Sequence, residues 1–443
     1  MQISASYKTI WTIAYPIMVG SLSQNLIGLT DIVFLGRVGE VELGAASFIA
    51  IYYLVLVMMG FGISRAGQIF MARRAGEGNY ERIGAIFYNL MYAELFAALI
   101  FWLFMQLVSP WLLQYFIVNP DIYTASTTYL HYRSFGIFFS LFGFALMSLY
   151  TAIGRSRPIA VITIVLFLVN TVLNYGLIFG KFGLPAMGIG GSGLASSLAE
   201  VFSAIIGVAY LLFDKNLQRY SVRHFHRPEK ALLRRIGDLS LPTMLQYFIG
   251  FGGWFLLFSF IESLGKQALA ISSVLKNVYS FYSVPAWGFA SACNAMVSNL
   301  IGQRKYKQVF VAVNRTAIFS FVMTIALCIS LAIMPYTILS IFTNNQAVID
   351  GAIPILYMLL GIILAGSVST VIFNGLLGTG SIFLALGFEI AAVAVYLIYA
   401  YSVTYVFPQE LPHIWASEFI YWVVLAVPSW AYLQSQRWQK VTV

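Results

Sequence analysis

One carboxylate, Asp31, sits near the end of the apolar stretch PIMVGSLSQNLIGLTDIVFLGRVG, residues 16–39. An ionisable side chain inside a membrane helix costs roughly 2.5–3.5 kcal/mol or more, so it usually marks an ion or substrate pathway. Pro16, in the first third of the same stretch, removes a backbone donor and invites a bend. A bendable helix carrying a single acid has the makings of a proton-driven switch. Elsewhere, Asn170 and Asn174 are four residues apart, which puts both on one helical face. Ser196 stands in a Gly/Ala-rich run, and Gln24 and Asn25 could extend a water path from Asp31. Lys276, followed by Asn277, is a cation in the middle of another apolar run and must face a cleft or a partner. The same polar side chains could instead be structural, as hydrogen-bond glue between helices.

Other chemistries lack the residues they need. Cys293 and Cys328 lie in apolar runs without metal-ligand spacing, which suits small core residues. His224 and His226 fall in a basic, solvated segment. No catalytic triad, phosphate loop or zinc spacing is present, so neither an enzyme nor a protein with a bound metal or organic cofactor is expected. Glu94, Glu200, Glu389 and Arg65 also lie inside apolar runs, where acids often pair structurally. Snorkelling toward the inner face could serve Arg65.

The elements that position these residues are membrane helices. The chain is 60% hydrophobic and 9% charged, against about 25% charged in soluble domains. With about 20 apolar residues needed per crossing, twelve spans are expected: 8–35, 43–72, 83–108, 124–151, 157–180, 187–213, 237–261, 267–299, 309–334, 347–377, 381–406 and 414–434. The N-terminal residues MQISASYKTIW show no cleavable-signal pattern. Of the 25 Lys and Arg, 18 fall in segments on the N-terminal side of the membrane, three (Arg37, Lys181, Lys266) on the other, and Arg65, Arg133, Lys276 and Arg315 within spans. This bias places both termini in the cytoplasm. It also makes the net charge of +9 a topology signal, not a nucleic-acid surface.

The spans repeat. At an offset of 226 residues, Pro16 meets Pro242, Met18 meets Met244, Phe34 meets Phe260 and Gly39 meets Gly265. Tyr53 then meets Tyr279, Gly62 meets Gly288, Gly76 meets Gly302 and Gly154 meets Gly380. The expected fold is therefore all-α and polytopic, with twelve transmembrane helices in two six-helix lobes related by a parallel repeat. The lobes are residues 1–213 and 237–443, joined by a cytoplasmic linker, 214–236. The repeat is uneven: Asp31 corresponds to Leu257, Asn170 to Tyr396 and Asn174 to Ala400. That points to ion binding in the first lobe, with the second mainly packing or contacting substrate.

The run Pro16…Asp31…Phe34, Gly36, Gly39, the pair Gly76 and Gly78, and the stretch Ala152–Glu200 resemble the multidrug and toxic compound extrusion (MATE) transporters. The resemblance covers essentially the whole chain. It implies a V-shaped pair of six-helix lobes in the plasma (inner) membrane that exports compounds in exchange for protons or sodium ions. It also puts Asp31, Asn170, Asn174 and Ser196 together as an ion-linked cluster, with Gln24 nearby. By helix rise, Asp31 lies roughly 8 Å, Asn174 roughly 9 Å, Ser196 roughly 12 Å and Asn170 roughly 15 Å below the outer ends of their spans.

Two departures from the family pattern matter. Many members with a sodium site have Asp where this chain has Asn174, and losing a charged ligand tilts coupling toward protons. The C-terminal lobe lacks the acids that line the cavity in the cation-exporting branch: Glu262 stands only at the outer end of the seventh span, and the tenth has Asn374. Lys276, Asn277, Tyr279, Tyr247 and Asn374 are the substrate-cavity candidates, with Tyr52, Tyr53, Trp254, Phe281, Tyr282 and Trp287 as a possible aromatic wall. The resemblance thus implies a monomeric antiporter of amphipathic organic compounds against protons, with sodium the weaker option. The alternative is a lipid-linked oligosaccharide flippase of the same superfamily, for which Lys276 would supply cavity charge. Membrane lipids are the other expected partner, and nucleic acid is not one.

Overall fold

The computed structural model describes residues 3–441, which are mainly helical, with no strand among the described residues. In order, the helices are α1 (Tyr7–Leu35), α2 (Glu40–Glu77), α3 (Arg82–Leu103), α4 (Ser109–Phe116), α5 (Pro120–Arg133), α6 (Ile137–Ala152), α7 (Arg157–Phe179) and α8 (Gly188–Phe213). The second half continues with α9 (Lys230–Glu262), α10 (Lys266–Tyr282), α11 (Val284–Gly302), α12 (Tyr306–Ile333), α13 (Pro335–Leu339), α14 (Gln346–Gly378), α15 (Ile382–Tyr401) and α16 (Leu411–Ser435). A π turn joins α3 to α4, and a 3-10 turn at Ser134–Gly136 joins α5 to α6. Eleven of the resulting helical stretches are long and apolar enough to cross a membrane. Large apolar side chains such as Phe96, Leu107, Leu168, Ile205, Phe383 and Ile398 are exposed along them. In water such a surface would drive association; in a bilayer it meets hydrocarbon.

Three details differ from the sequence expectation. The eighth span, 267–299, is two helices broken at Ser283; Pro285 stands in the first turn of α11, and proline lacks the N–H that would bond back into the preceding helix. The third span runs on through the π turn to Phe116. The expected linker is shorter, because α9 begins at Lys230. Its first turns bury Leu232, Ile236 and Ser240 while Arg234 and Arg235 stay exposed. An amphipathic turn of that kind has helical periodicity but too little hydropathy to read as a span.

By contacts the chain divides into two compact units. One holds residues 19–75 and 79–244; the other holds residues 1–18, 76–78 and 245–443. The two leading helices, α1 and α9, therefore change unit after Met18 and Met244, positions 226 residues apart and two residues past Pro16 and Pro242. Close backbone approach holds each end in place. In the first unit, a side chain at Gly62 of α2 would come within 2.9 Å of the Met244 nitrogen, and the Thr243 hydroxyl donates to the Gly62 carbonyl at 2.8 Å. In the second, a side chain at Gly288 of α11 would meet Met18 and the Ala14 carbonyl oxygen, 3.1 Å away. The repeat also fixes a turn: Gly154 (φ +70°) and Gly380 (φ +91°) both adopt left-handed backbone, which only glycine enters freely.

Candidate functional site

In the first unit α7 opens with Pro158 in its first turn and closes on Gly180 at φ +68°, a common proline-start, glycine-stop pattern. It lies parallel to α1 in constant register. Gly20 abuts Thr163, Asp31 meets Asn174, and Phe34 packs edge-on against Phe179 at 6.0 Å. The first two pairs are each 143 residues apart, so Asp31 is carried onto the asparagine face of α7. Antiparallel α8, packed along α7, brings in Ser196 from the other side.

The four polar residues form one hydrogen-bonded chain. The Asn174 amide donates to Asp31 Oδ1 at 2.5 Å and to Asn170 Oδ1 at 3.0 Å. The Asn170 amide donates to Ser196 Oγ at 3.0 Å. Asn170, Asn174 and Ser196 are buried, and Asp31 is half-buried. The acceptor Asn174 Oδ1 has no hydrogen-bond partner, so the chain closes with one acceptor spare. The bonds from α7 to Asp31 and to Ser196 are interhelical, and such bonds contribute on average about 0.6 kcal/mol each in membrane proteins. Gln24, two turns before Asp31 on α1, is exposed. Pro16 lies inside α1, which is assigned as one unbroken helix.

The other buried charges have partners. Arg133, the last residue of α5, donates to Glu200 of α8 at 2.7 Å and lies 4.0 Å from the Tyr53 ring centroid. Glu94 accepts from the Ser64 hydroxyl at 2.5 Å. Arg65 is buried, lies over Phe61 at 4.6 Å and donates to Gln68 at 3.4 Å, both on its own helix α2. Both cysteines are buried and free.

In the second unit, the positions equivalent to the polar chain are apolar core. Leu257, Tyr396 and Ala400 pack with Ile261, Val393 and Ile414 in one buried cluster. The unit nevertheless contains two buried acids, Glu389 and Glu418. Glu389 accepts from the Tyr421 hydroxyl at 2.7 Å, and Glu418 lies against Trp254. Sequence reading passed over Glu418; the available signal was a lone carboxylate seven residues into an apolar run. Lys276 is half-buried, its ammonium 5.7 Å from the Phe258 ring centroid, with no salt bridge to it among the described residues. Trp254 and Tyr279 have ring centroids 6.2 Å apart. Tyr247 is buried and Asn277 half-buried. Asn374 is buried, and its amide donates to the Thr370 carbonyl one turn back on α14 at 2.9 Å.

The MatE family model matches residues 16–176 and again residues 242–402, two copies displaced by 226 residues at both ends. Over 329 residues, covering 73% of this chain and 69% of the relative, the sequence is 27% identical to the probable multidrug resistance protein NorM of Agrobacterium fabrum. It is 26% identical to the corresponding protein of Synechocystis sp. over 449 residues, 97% of this chain and 94% of that one. The fold matches the structure of a MOP superfamily transporter from Pyrococcus furiosus with a TM-score of 0.89 at 18% identity, over 98% of this chain and 97% of that one. A twice-repeated family model, together with the polytopic helical fold, makes this chain a member of the MatE family of membrane transporters.

Proposed function

We propose that this protein exports amphipathic organic compounds in antiport with protons, and that Asp31 is the coupling acid. The observation that carries this reading is the chain Asp31–Asn174–Asn170–Ser196, which holds one carboxylate among neutral amides and a hydroxyl. A hard cation favours several charged oxygens; one carboxylate needs only one proton. The relatives named multidrug resistance proteins support organic compounds as cargo.

The chain can register that proton. Ionised Asp31 accepts from the Asn174 amide. Protonated Asp31 has an O–H to donate, and turning the Asn174 side chain presents Oδ1 to receive it. Asn170 then turns to donate to Asn174 and to accept from the Ser196 hydroxyl. The polarity of all three bonds reverses, and α8 receives the change. Such reversal needs side chains that can both donate and accept, as amides and hydroxyls do. Bending of α1 near Pro16 would turn the local change into a change of cavity. Each proton moving inward contributes about 2.3 kcal/mol per 100 mV.

In proteoliposomes with an imposed pH gradient, Asp31→Asn should abolish proton-driven ethidium transport, and undiminished transport by that variant would remove Asp31 from the mechanism. Lys276, with no acid paired to it among the described residues, favours the second reading, a flippase for anionic lipid-linked sugars. Translocation of a labelled anionic lipid in place of ethidium would select it.

A further inference from the structure

The polar chain does not end at Ser196. Glu200 is one turn further along the same face of α8, and it is bound to Arg133 at 2.7 Å with both side chains largely enclosed, 14% and 11% exposed. Arg133 ends α5 where the helix tightens into the 3-10 turn Ser134–Gly136, and Ser197 ties that turn to α8 by accepting from the Gly136 amide at 3.1 Å. Neither charged group is saturated: Arg133 Nη1 and Glu200 Oε2 are buried without hydrogen-bond partners. Arg133 is also within electrostatic range of Asp31. Tyr129, one turn before Arg133, lies within range of Asp31, Arg133 and Glu200 together, and Tyr53 of α2 lies against Arg133 and within range of Glu200. α7 contributes only the neutral Asn170 and Asn174 to this group. One cation thus stands among two carboxylates, leaving a net charge of −1 when both are ionised.

We propose that Arg133 is a shared counter-charge for Glu200 and Asp31, and that its pairing with Glu200 leaves Asp31 free to take up one proton. The proposal rests on the reading of Asp31 as the coupling acid. With Arg133 committed to Glu200, ionised Asp31 is the uncompensated charge of this group of three, and one proton brings the group to neutrality. Were Arg133 released, its guanidinium would serve Asp31 instead, and the proton would lose its place. Arg133 and Glu200 are positioning residues: they set how readily Asp31 is protonated without carrying the proton.

The test needs no substrate. In purified full-length protein, the part of the protonated-carboxyl infrared band that Asp31→Asn removes is followed as a function of pH. Glu200→Gln should lower the midpoint of that band by about one pH unit or more, a tenfold change in proton affinity. The double variant Glu200→Gln with Arg133→Gln should return it to within about half a unit of the unmodified protein, because charge and counter-charge leave together. A midpoint that Glu200→Gln leaves unmoved or raises, or a double variant that keeps the full shift, would overturn the proposal. Should Glu200→Gln fail to fold, Glu200→Asp should lower the midpoint by less, and a rise or no change would overturn it equally. If Asp31→Asn removes no band, it is the coupling-acid reading that fails, and this proposal with it.

Discussion

The Asn174 amide donates to Asp31 Oδ1 at 2.5 Å and to Asn170 Oδ1 at 3.0 Å, so one side chain joins the single acid of α1 to the rest of the polar chain. Replacing it with a second acid changes the chemistry of the site. Asn174→Asp sets two carboxylates within hydrogen-bond distance, where they repel unless a cation or proton lies between them. Two charged oxygens also suit a hard cation. The variant should therefore acquire sodium-stimulated transport at constant pH. Ethidium transport that is equally insensitive to sodium before and after the substitution would refute this account of ion choice.

Gly62 and Gly288 should be intolerant of side chains, each in its own unit. Gly62→Ala would press a methyl group into the α9 backbone at Met244, and Gly288→Ala into Met18 and the Ala14 carbonyl. Overpacking of this kind costs about 1–3 kcal/mol. Gly143, which has open space around it, is the control: Gly143→Ala should be neutral or mildly stabilising, since glycine inside a helix costs roughly 0.5–1 kcal/mol relative to alanine. Thermal denaturation in detergent, followed by fluorescence-detected size exclusion, would compare the three. A Gly62→Ala protein as stable as Gly143→Ala would contradict the packing described.

Glu389 distinguishes the units. Its carboxylate accepts from the Tyr421 hydroxyl at 2.7 Å, and an amide oxygen can accept the same bond. Glu389→Gln should keep the fold and leave proton-driven ethidium transport within about threefold of normal, corresponding to less than 1 kcal/mol, whereas Asp31→Asn loses it. Equal loss in both variants would place ion coupling in both units and end the asymmetry inferred from Leu257, Tyr396 and Ala400.

The residues themselves determined the class of protein. Continuous apolar runs can only be membrane helices, because a lipid-exposed backbone must satisfy its own hydrogen bonds. The 226-residue offset already contained the two-fold plan, and the change from Asp31, Asn170 and Asn174 to Leu257, Tyr396 and Ala400 announced that the halves differ. The four-residue spacing of the asparagines placed them on one face because helix period is a local property.

Contacts between helices required the tertiary structure. Asp31 and Asn174 are 143 residues apart, and their meeting depends on the parallel register of α1 and α7. Arg133 read as one more charge inside a span until the turn after α5 and the rotation of α8 aimed it at Glu200. The break at Ser283 and the exchange of helix ends after Met18 and Met244 arise in the same way. Helix period and hydropathy say that a segment spans and which face is polar. Which neighbour that face meets is decided by close packing, and there a single glycine such as Gly62 or Gly288 sets how near two backbones can come.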